Sequence, residues 1–590
     1  MTNNILYAVL AVLLAAAVGQ IYLIVNPEQL QAFLNLPALR FLTGELNLLL
    51  LAPEIIIALV LLYSILHLAI TKSEEEREGV WMFAGVGCLS ALLCLFLHMG
   101  LIGLQNPAGE SVMYGMFQND LFSVMIRMFL VLGTLLIVGY SRLYLKNRSE
   151  LPGEFYTVIL TALLGGMLMS GARNLIMLFV ALETLGISSY IMVGYLRGNV
   201  RSAEAGLKYL VYGGMATAIL LFGFSLLYGI TGQTDYSAIA HHLALRDSHP
   251  LIPIMSVLIL GGFAFKLSAA PFHMWTPDVY EGAPTPVTAF LSVVSKIAGF
   301  SVVIRFLSTF AGITTFSVWF NVLVVLSLLS MVIGNVVALT QTNVKRLLAY
   351  STIAHAGYLL LGLALIGNTQ LSSVHIGPEG YTQLTVAQAG LSSLVYYLVA
   401  YLFMNVGAFA AVIYFGNLTN GSEDIADYAG LVQKRPALTL IFSMMLLSLA
   451  GIPITAGFYG KFFLFQAVAN AGGQYIWLVM VALVTSTISL YYYLNVIRLM
   501  VIAEPSSVVE KMPSETETAG GSIQWMFSPT NLVLMFCLYG TLFMGLFAQR
   551  FIDLSGVSVQ SLTNNSYLYS QSITKPQTPN ALSQLPAHTR

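Results

Sequence analysis

The stretch Gly261–Val287, GGFAFKLSAAPFHMWTPDVYEGAPTPV, decides how this chain is read. Its first part would pass for the end of an apolar membrane helix, yet it carries Lys266 and, five residues on, Pro271. Proline removes a backbone donor and clashes with the preceding turn, so the spacing predicts a helix that kinks or breaks beside a charged side chain. A second stretch, Ser448–Phe465, SLAGIPITAGFYGKFFLF, sets Pro453 eight residues before Lys461 inside an apolar run of about thirty residues. Interrupted helices in corresponding positions of two halves mark the ion pathway of inverted-repeat transporters. An ordinary proline kink accounts for either break alone; two breaks, each with one lysine close by, are harder to dismiss.

The rest of the chain supplies the setting. Of 590 residues, 57% are hydrophobic and only 9% charged, and the mean hydropathy is +0.81, whereas a soluble protein carries roughly a quarter charged residues. The apolar residues form runs long enough to cross a hydrocarbon core of about 30 Å as helices, the form in which a segment in lipid satisfies its own backbone. Candidate spans fall near 5–25, 46–70, 79–104, 121–141, 154–173, 174–196, 206–231, 250–270, 284–310, 316–340, 346–366, 388–416, 436–467, 474–499 and 526–550. The expected fold is an all-α polytopic membrane protein of about 14 to 15 transmembrane helices. The first span has the apolar core of a signal peptide without the basic start, and is kept as a span. The broken spans are the eighth and thirteenth, five apart, so they cross in opposite directions. That parity predicts two inverted five-helix repeats, roughly 154–310 and 316–499, within a core of 46–550. Residues 1–45 form an N-terminal extension, and the Ser, Asn and Gln-rich stretch 551–590 reads as a polar tail, disordered or surface-hugging.

One set of loops holds Lys72, Arg77, Arg142, Lys146, Arg148, Arg197, Arg201, Lys345, Arg346, Lys434, Arg435, Arg498 and Lys511; the opposite set and outer helix ends hold Arg40, Arg173, Arg246, Arg305 and Arg550. The richer side is assigned to the cytoplasm or its equivalent. Cys88, Cys94 and Cys537 all sit in apolar runs and offer neither a disulfide framework nor metal-ligand spacing. Nucleotide-loop, CxxC and haem-attachment motifs are missing from the sequence, and so is any sign of nucleic-acid binding, so no cofactor is expected in this chain.

Arg127, Lys208, Lys266, Lys296 and Lys461 remain inside or at the edge of spans, and Glu183 joins them nine residues into its own. An ion at the bilayer centre costs at least about 2.5 to 3.5 kcal/mol on insertion scales, so such groups usually face partners, water or the bundle interior. Snorkelling to the interface is the alternative for a long side chain near a helix end, Lys208 above all.

WTPDVYEGAPTPVTAFLS from Trp275 to Ser292, FKLSAAPFH before it and Ser295–Lys296 after it resemble the signature of the antiporter-like membrane subunits of complex I, the proton-translocating NADH or ferredoxin:quinone oxidoreductases. TNVKRLLAYSTIAHAGYLLLG, Thr342–Gly362, is similar to that family's second-half signature. Ala450–Phe465 resembles its late broken helix, and DYAGL, Asp427–Leu431, the loop before it. The similarity runs from about 46 to 550, and the wording around Trp275 resembles subunit N (subunit 2) more than the larger paralogues. Residues 1–44 depart from the pattern, since the family normally starts near Leu50.

The resemblance implies a fourteen-helix core and a proton pathway of Glu183, Lys208, Lys266, Lys296, His355 and Lys461. It also implies partners: other complex I membrane-arm subunits, including antiporter-like paralogues and small membrane subunits, with iron-sulfur clusters, flavin if NADH is the donor, and quinone bound there. The expected location is a bacterial plasma (inner) membrane, with a thylakoid membrane as the other. A subunit of a multisubunit Na+/H+ antiporter is the alternative function, and a structural scaffold a third. Desolvation disfavours a charged ammonium and a nearby carboxylate favours it. An ion pair between Glu183 and Lys266 that opens and closes would therefore switch the lysine between holding and releasing a proton, with Lys296 and His355 passing it on toward Lys461.

Overall fold

The computed structural model describes residues 48–73, 77–105, 109–145, 152–245, 249–311, 316–368, 384–419, 421–514 and 528–574, with Arg148 and residues 371–372. The expected extension 1–45 and the span expected near 5–25 lie outside the described residues.

A 3-10 turn, Leu48–Leu51, opens into α1, Ala52–Ile70, and α2 follows at Val80–Gln105. A hairpin of β1, Glu110–Val112, and β2, Phe117–Asn119, pairs Glu110 with Asn119 and leads into α3, Leu121–Leu145. The first five-helix unit then comprises α4, Pro152–Gly171, α5, Leu175–Val193, α6, Val200–Thr231, and a short α7, Tyr236–Leu245. It continues with α8, Ile252–Leu267, α9, Trp275–Gly282, α10, Thr285–Ser292, and α11, Val294–Thr309. The second comprises α12, Phe316–Ala338, α13, Val344–Ala364, the strands β3, Leu371–Ser372, and β4, Leu384–Thr385, and α14, Val386–Leu418. It ends with α15, Pro436–Ala450, α16, Ala456–Asn470, and α17, Ile476–Ile502. The last elements are α18, Ser507–Glu510, α19, Pro529–Leu546, and α20, Ala548–Thr574. Among the described residues twelve segments are long and apolar enough to span a membrane, and the shorter α8 and α15 are the first halves of two interrupted crossings. Together they give the fourteen crossings expected over 46–550.

Both breaks fall beside the prolines, but a backbone reversal makes each one. α8 ends at Ser268, which takes a left-handed conformation (φ 59°) and returns its N–H to the α8 carbonyls; Pro271 comes three residues later. α15 ends the same way at Gly451, φ 90°, ahead of Pro453. Glycine takes that conformation without penalty, and here it also leaves room, since a Cβ at 451 would lie 3.2 Å from Lys461 Cδ.

The two units carry the same clamp. Asn174 caps α5, and Leu175 N–H donates to Thr234 O while Tyr236 N–H donates to Arg173 O, an antiparallel bridge of Asn174 with Asp235. Asn343 caps α13, and Val344 N–H donates to Glu423 O while Ile425 N–H donates to Thr342 O, the same bridge between Asn343 and Asp424. In each unit an asparagine at the start of the second crossing grips the loop after the third. α5 and α13 are five crossings apart and run oppositely, so the clamps lie on opposite faces. This is the geometry of an inverted repeat.

The centre belongs to α10, α11, α13 and α14, which are buried on nearly every face, whereas α6 and α17 expose Leu207, Met215, Phe222, Trp477 and Tyr491 outward. Close helix approach rests on small residues. In the α12–α13 seam, a Cβ on Gly334 would meet Ala354 N at 2.6 Å and one on Gly357 would meet Met331 N at 2.7 Å.

The stretch after 551 differs from the expected tail. It is helical to Thr574, and Ile552, Ser555, Val559 and Leu562, spaced three and four apart, are buried where α20 packs on α14, α3 and α11. That spacing puts them on one helix face. A face this narrow, half of it small or polar, does not register as apolar in the composition. Residues 575–590 lie outside the described residues.

Candidate functional site

The buried polar groups gather around the two broken ends. Lys296, on α11 and 2% exposed, donates to Leu267 O at 3.1 Å and to Thr352 O at 3.2 Å. Leu267 is the last residue of α8, so its carbonyl has no intrahelical partner and sits at the negative end of the helix dipole. Lys461, on α16, treats the other break alike: its ammonium donates to Leu449 O (3.0 Å) and Ala450 O (2.9 Å), the last carbonyls of α15, and to Ser486 Oγ on α17 (3.1 Å). It also stands over the Tyr358 ring, 5.3 Å from the centroid. In each unit, then, a buried lysine caps the first half of the broken helix.

Between them lies His355 on α13, one turn beyond Thr352. Its Nδ1 is 2.6 Å from the Tyr397 hydroxyl on α14, and its ring lies edge-on to Tyr358 and tilted to Tyr401. Tyr401 donates to Thr352 Oγ1 at 2.9 Å, so the residue whose carbonyl receives Lys296 is held from α14 as well. Tyr358 joins Asn335 (3.0 Å) and Thr485 (3.4 Å).

Lys266 occupies the last turn of α8 and is 7% exposed. It packs on α11, where a Cβ at Gly299 would lie 3.4 Å from its Cγ. Glu183 on α5 reaches Lys266 electrostatically, but no ion pair joins them; the carboxylate accepts from Thr217 Oγ1 on α6 at 2.8 Å. The expected pair is open in this conformation.

Lys208 stands apart from this line. Its ammonium is 2.8 Å from Glu204 Oε1 and 2.8 Å from Asp278 Oδ2, and its side chain is 37% exposed. Arg346 completes the network, 2.9 Å from Asp278 Oδ1 and 2.9 Å from Glu281 Oε2. Nine residues separate Lys208 from Thr217 on α6, about 13 Å of helix, beyond the reach of Glu183. Lys208 borders a cavity of about 190 Å³ with Arg201, Glu204, Asp278 and Glu281. A larger neighbour of about 420 Å³ is lined by Arg148, Arg201, Lys345, Glu281 and Glu423, so basic loops that the sequence assigns to one side meet on one face.

Residues 172–489 match the family model described as NADH:quinone oxidoreductase/Mrp antiporter, TM. The chain is 41% identical over 552 residues to NAD(P)H-quinone oxidoreductase subunit 2 of Synechococcus elongatus, covering 92% of this chain and 99% of the relative. The chain belongs to the antiporter-like membrane subunits of this family. A second antiporter-like relative, of the same name, from Synechococcus sp. strain JA-3-3Ab, is 43% identical over 524 residues, covering 88% of this chain and 92% of the relative. A chain of Thermus thermophilus respiratory complex I with bound aureothin superposes with a TM-score of 0.64 at 30% identity, covering 84% of this chain and 98% of that one. A chain of the Mrp complex from Dietzia sp. shares the antiporter-like fold at 21% identity, with a TM-score of 0.68 and coverage of 89% and 99%.

The sequence reading missed two buried ion pairs in this antiporter-like subunit. Arg127, fully buried on α3, is bonded to both carboxylate oxygens of Glu54 on α1 at 2.9 and 3.2 Å and to Asn119 Oδ1. Arg305, counted from sequence as an outer helix end, makes a two-pronged pair with Asp120 at 2.8 and 2.9 Å and donates to Ser170 O. Among the described residues no group of three His, Cys, Asp or Glu is arranged to hold a metal ion.

Proposed function

We propose that this chain is a proton-translocating membrane-arm subunit of a complex I-type NADH (or ferredoxin):quinone oxidoreductase, coupling quinone reduction in partner subunits to proton movement across the membrane. The observation that carries the reading is the row of buried polar groups between the two broken helices: Lys296 bonded to Leu267 O and Thr352 O, His355 bonded to Tyr397 and within electrostatic reach of both lysines, and Lys461 bonded to the end of α15. An uncharged scaffold would not carry the cost of ammonium groups at this depth. In the proposed sequence Glu183, moving between Thr217 and Lys266, changes how firmly Lys266 holds its proton. Lys266 lies one residue before the carbonyl that receives Lys296, so proton exchange passes to Lys296, then His355, then Lys461. Lys208, with Asp278 and Arg346, stands at the open end as the exchange point with water.

Relatives named for quinone oxidoreduction support this reading over a Na+/H+ antiporter, since likeness to the Mrp complex extends to the fold alone. The proposal puts iron-sulfur clusters, quinone and, with NADH as donor, flavin in partner subunits. The neighbours are other membrane-arm subunits, antiporter-like paralogues and small membrane subunits among them. The setting is a bacterial plasma membrane or, as cyanobacterial relatives also allow, a thylakoid.

The test is proton uptake into sealed vesicles, measured beside quinone reduction and with assembly checked on a native gel. Lys296→Ala, Lys461→Ala and Glu183→Ala are expected to assemble and to lose most proton uptake. Lys266→Arg fails too, because arginine stays protonated at working pH. Full pumping at the normal ratio in Lys266→Arg and Lys296→Ala complexes would overturn the reading.

A further inference from the structure

We infer that Tyr397 is a catalytic residue of proton transfer, its hydroxyl carrying the proton between His355 and the Lys461 end of the line. The inference deepens the proposed pathway and rests on it. Three observations lead to it. The Tyr397 hydroxyl is 2.6 Å from His355 Nδ1, within the range in which a proton passes along a hydrogen bond. The phenol is fully buried in mid-α14, among helices rather than at a wet surface. Its ring lies flush on α16 immediately before the lysine: a Cβ at Gly460 would come within 2.3 Å of Tyr397 Cδ2. The glycine beside Lys461 is therefore what lets this tyrosine approach.

Other tyrosines of α14 are engaged differently. Tyr396 donates to Met544 O at 3.0 Å and Tyr401 to Thr352 Oγ1 at 2.9 Å, so neither hydroxyl is bonded to the histidine ring. His355 itself lies within electrostatic reach of both Lys296 and Lys461, the position expected of a middle carrier.

The transfer balances without a charged phenol. A proton from Lys296 arrives at the imidazole, which becomes imidazolium. The Nδ1–H bond then breaks as a new O–H bond forms at Tyr397, and the original phenol proton leaves in the same step for Lys461. The Lys461 amine, bonded in this conformation to Leu449 O, Ala450 O and Ser486 Oγ, has first given up its own proton and turned to the phenol. One proton enters and one leaves; the new O–H points at the histidine, and the pair is reset when that O–H turns toward Lys461 and the imidazole, left with its proton on Nε2, regains its Nδ1–H.

The experiment uses the whole complex in sealed vesicles, with NADH and reduced ferredoxin tried in parallel as donors. Proton uptake is measured per quinone reduced for Tyr397→Phe, Tyr396→Phe and His355→Gln. The substitution Tyr397→Phe keeps the ring packed on Gly460 and removes only the hydroxyl. Loss of uptake in Tyr397→Phe to the level of His355→Gln, with uptake retained in the Tyr396 variant, is the expected result. Normal uptake in Tyr397→Phe beside loss in His355→Gln overturns the role of Tyr397 and leaves the pathway standing. Normal uptake in His355→Gln overturns both. Should Tyr397→Phe fail to assemble, a fluorinated tyrosine at position 397 preserves the shape and acidifies the phenol. The pH profile of uptake then shifts if the hydroxyl carries the proton, and an unshifted profile refutes the inference.

Discussion

Lys266 and Lys461 each stand beside a break in the sequence, yet only Lys461 holds a broken end. In the first unit that part falls to Lys296, which comes from α11 to the carbonyl of Leu267. The charges themselves were legible, because a lysine in an apolar run is conspicuous. Their partners were not, because a backbone carbonyl leaves no mark in sequence. Arg127 makes the same point with a carboxylate: it stood out within its span, but its partner Glu54, 73 residues away in the first turn of α1, was not picked out from the sequence. A buried pair that loses one member leaves the other uncompensated, at a cost of about 3–5 kcal/mol. Arg127→Ala is therefore expected to lower the melting temperature of the complex and the yield of assembled subunit on a native gel. The fraction that assembles should keep its proton-to-quinone ratio, because Arg127 lies off the line from Lys296 to Lys461. Arg127→Ala combined with Glu54→Gln should recover part of the loss, since no unpaired carboxylate remains; a double variant as unstable as the single one would mean that the ion pair is not the reason.

The broken helices were visible as elements because proline is conspicuous, but their ends were set by Ser268 and Gly451, whose left-handed conformations no spacing rule announces. The seam between α12 and α13 was hidden for another reason. Glycines are common in this chain, 50 of 590 residues, so Gly334 and Gly357 do not advertise that a backbone passes over them. Gly357 lies two residues beyond His355, and the helix that carries the histidine is seated by it. A side chain at 357 has to push α13 away from Met331 and Ser327, whose backbone atoms would lie 2.7 and 2.9 Å from the new Cβ. Overpacking of this kind typically costs about 1–3 kcal/mol. Gly357→Val is expected to lower thermal stability by that order and to cut proton uptake more than quinone reduction, by moving His355 from Tyr397. Gly214, where an added Cβ meets nothing within 4 Å, is the control: Gly214→Ala should pump normally, and equal damage at both sites would sink the seam argument.

Over the whole molecule, the inverted repeat was legible in the parity of the two breaks, and the paired clamps at Asn174–Asp235 and Asn343–Asp424 give it a backbone basis that sequence spacing did not contain. What ties the units together at one face was read as a tail. α20 leaves the last crossing and packs on α14 of the second unit, on α11 and α7 of the first, and on α3 before both. Its buried edge of Ile552, Val559 and Leu562 is apolar surface that neither unit supplies itself. Burying one such side chain contributes about 1.5–3 kcal/mol in water, and α20, too polar in composition to span, leaves Leu554 and Val557 exposed on its other edge. Ending the chain after Phe547 should therefore leave the fourteen crossings able to insert while lowering the melting temperature of the assembled complex. Ending it after Thr574 keeps the whole of α20, Ala548–Thr574, and should change neither stability nor uptake. A fluorescence-detected melt of both truncations beside the full chain makes the comparison. If the shorter one melts with the full chain, α20 is an ornament on an already closed bundle; if it melts early and regains stability when a peptide of residues 548–574 is added back, the helix is the strap that holds the two inverted units to α3.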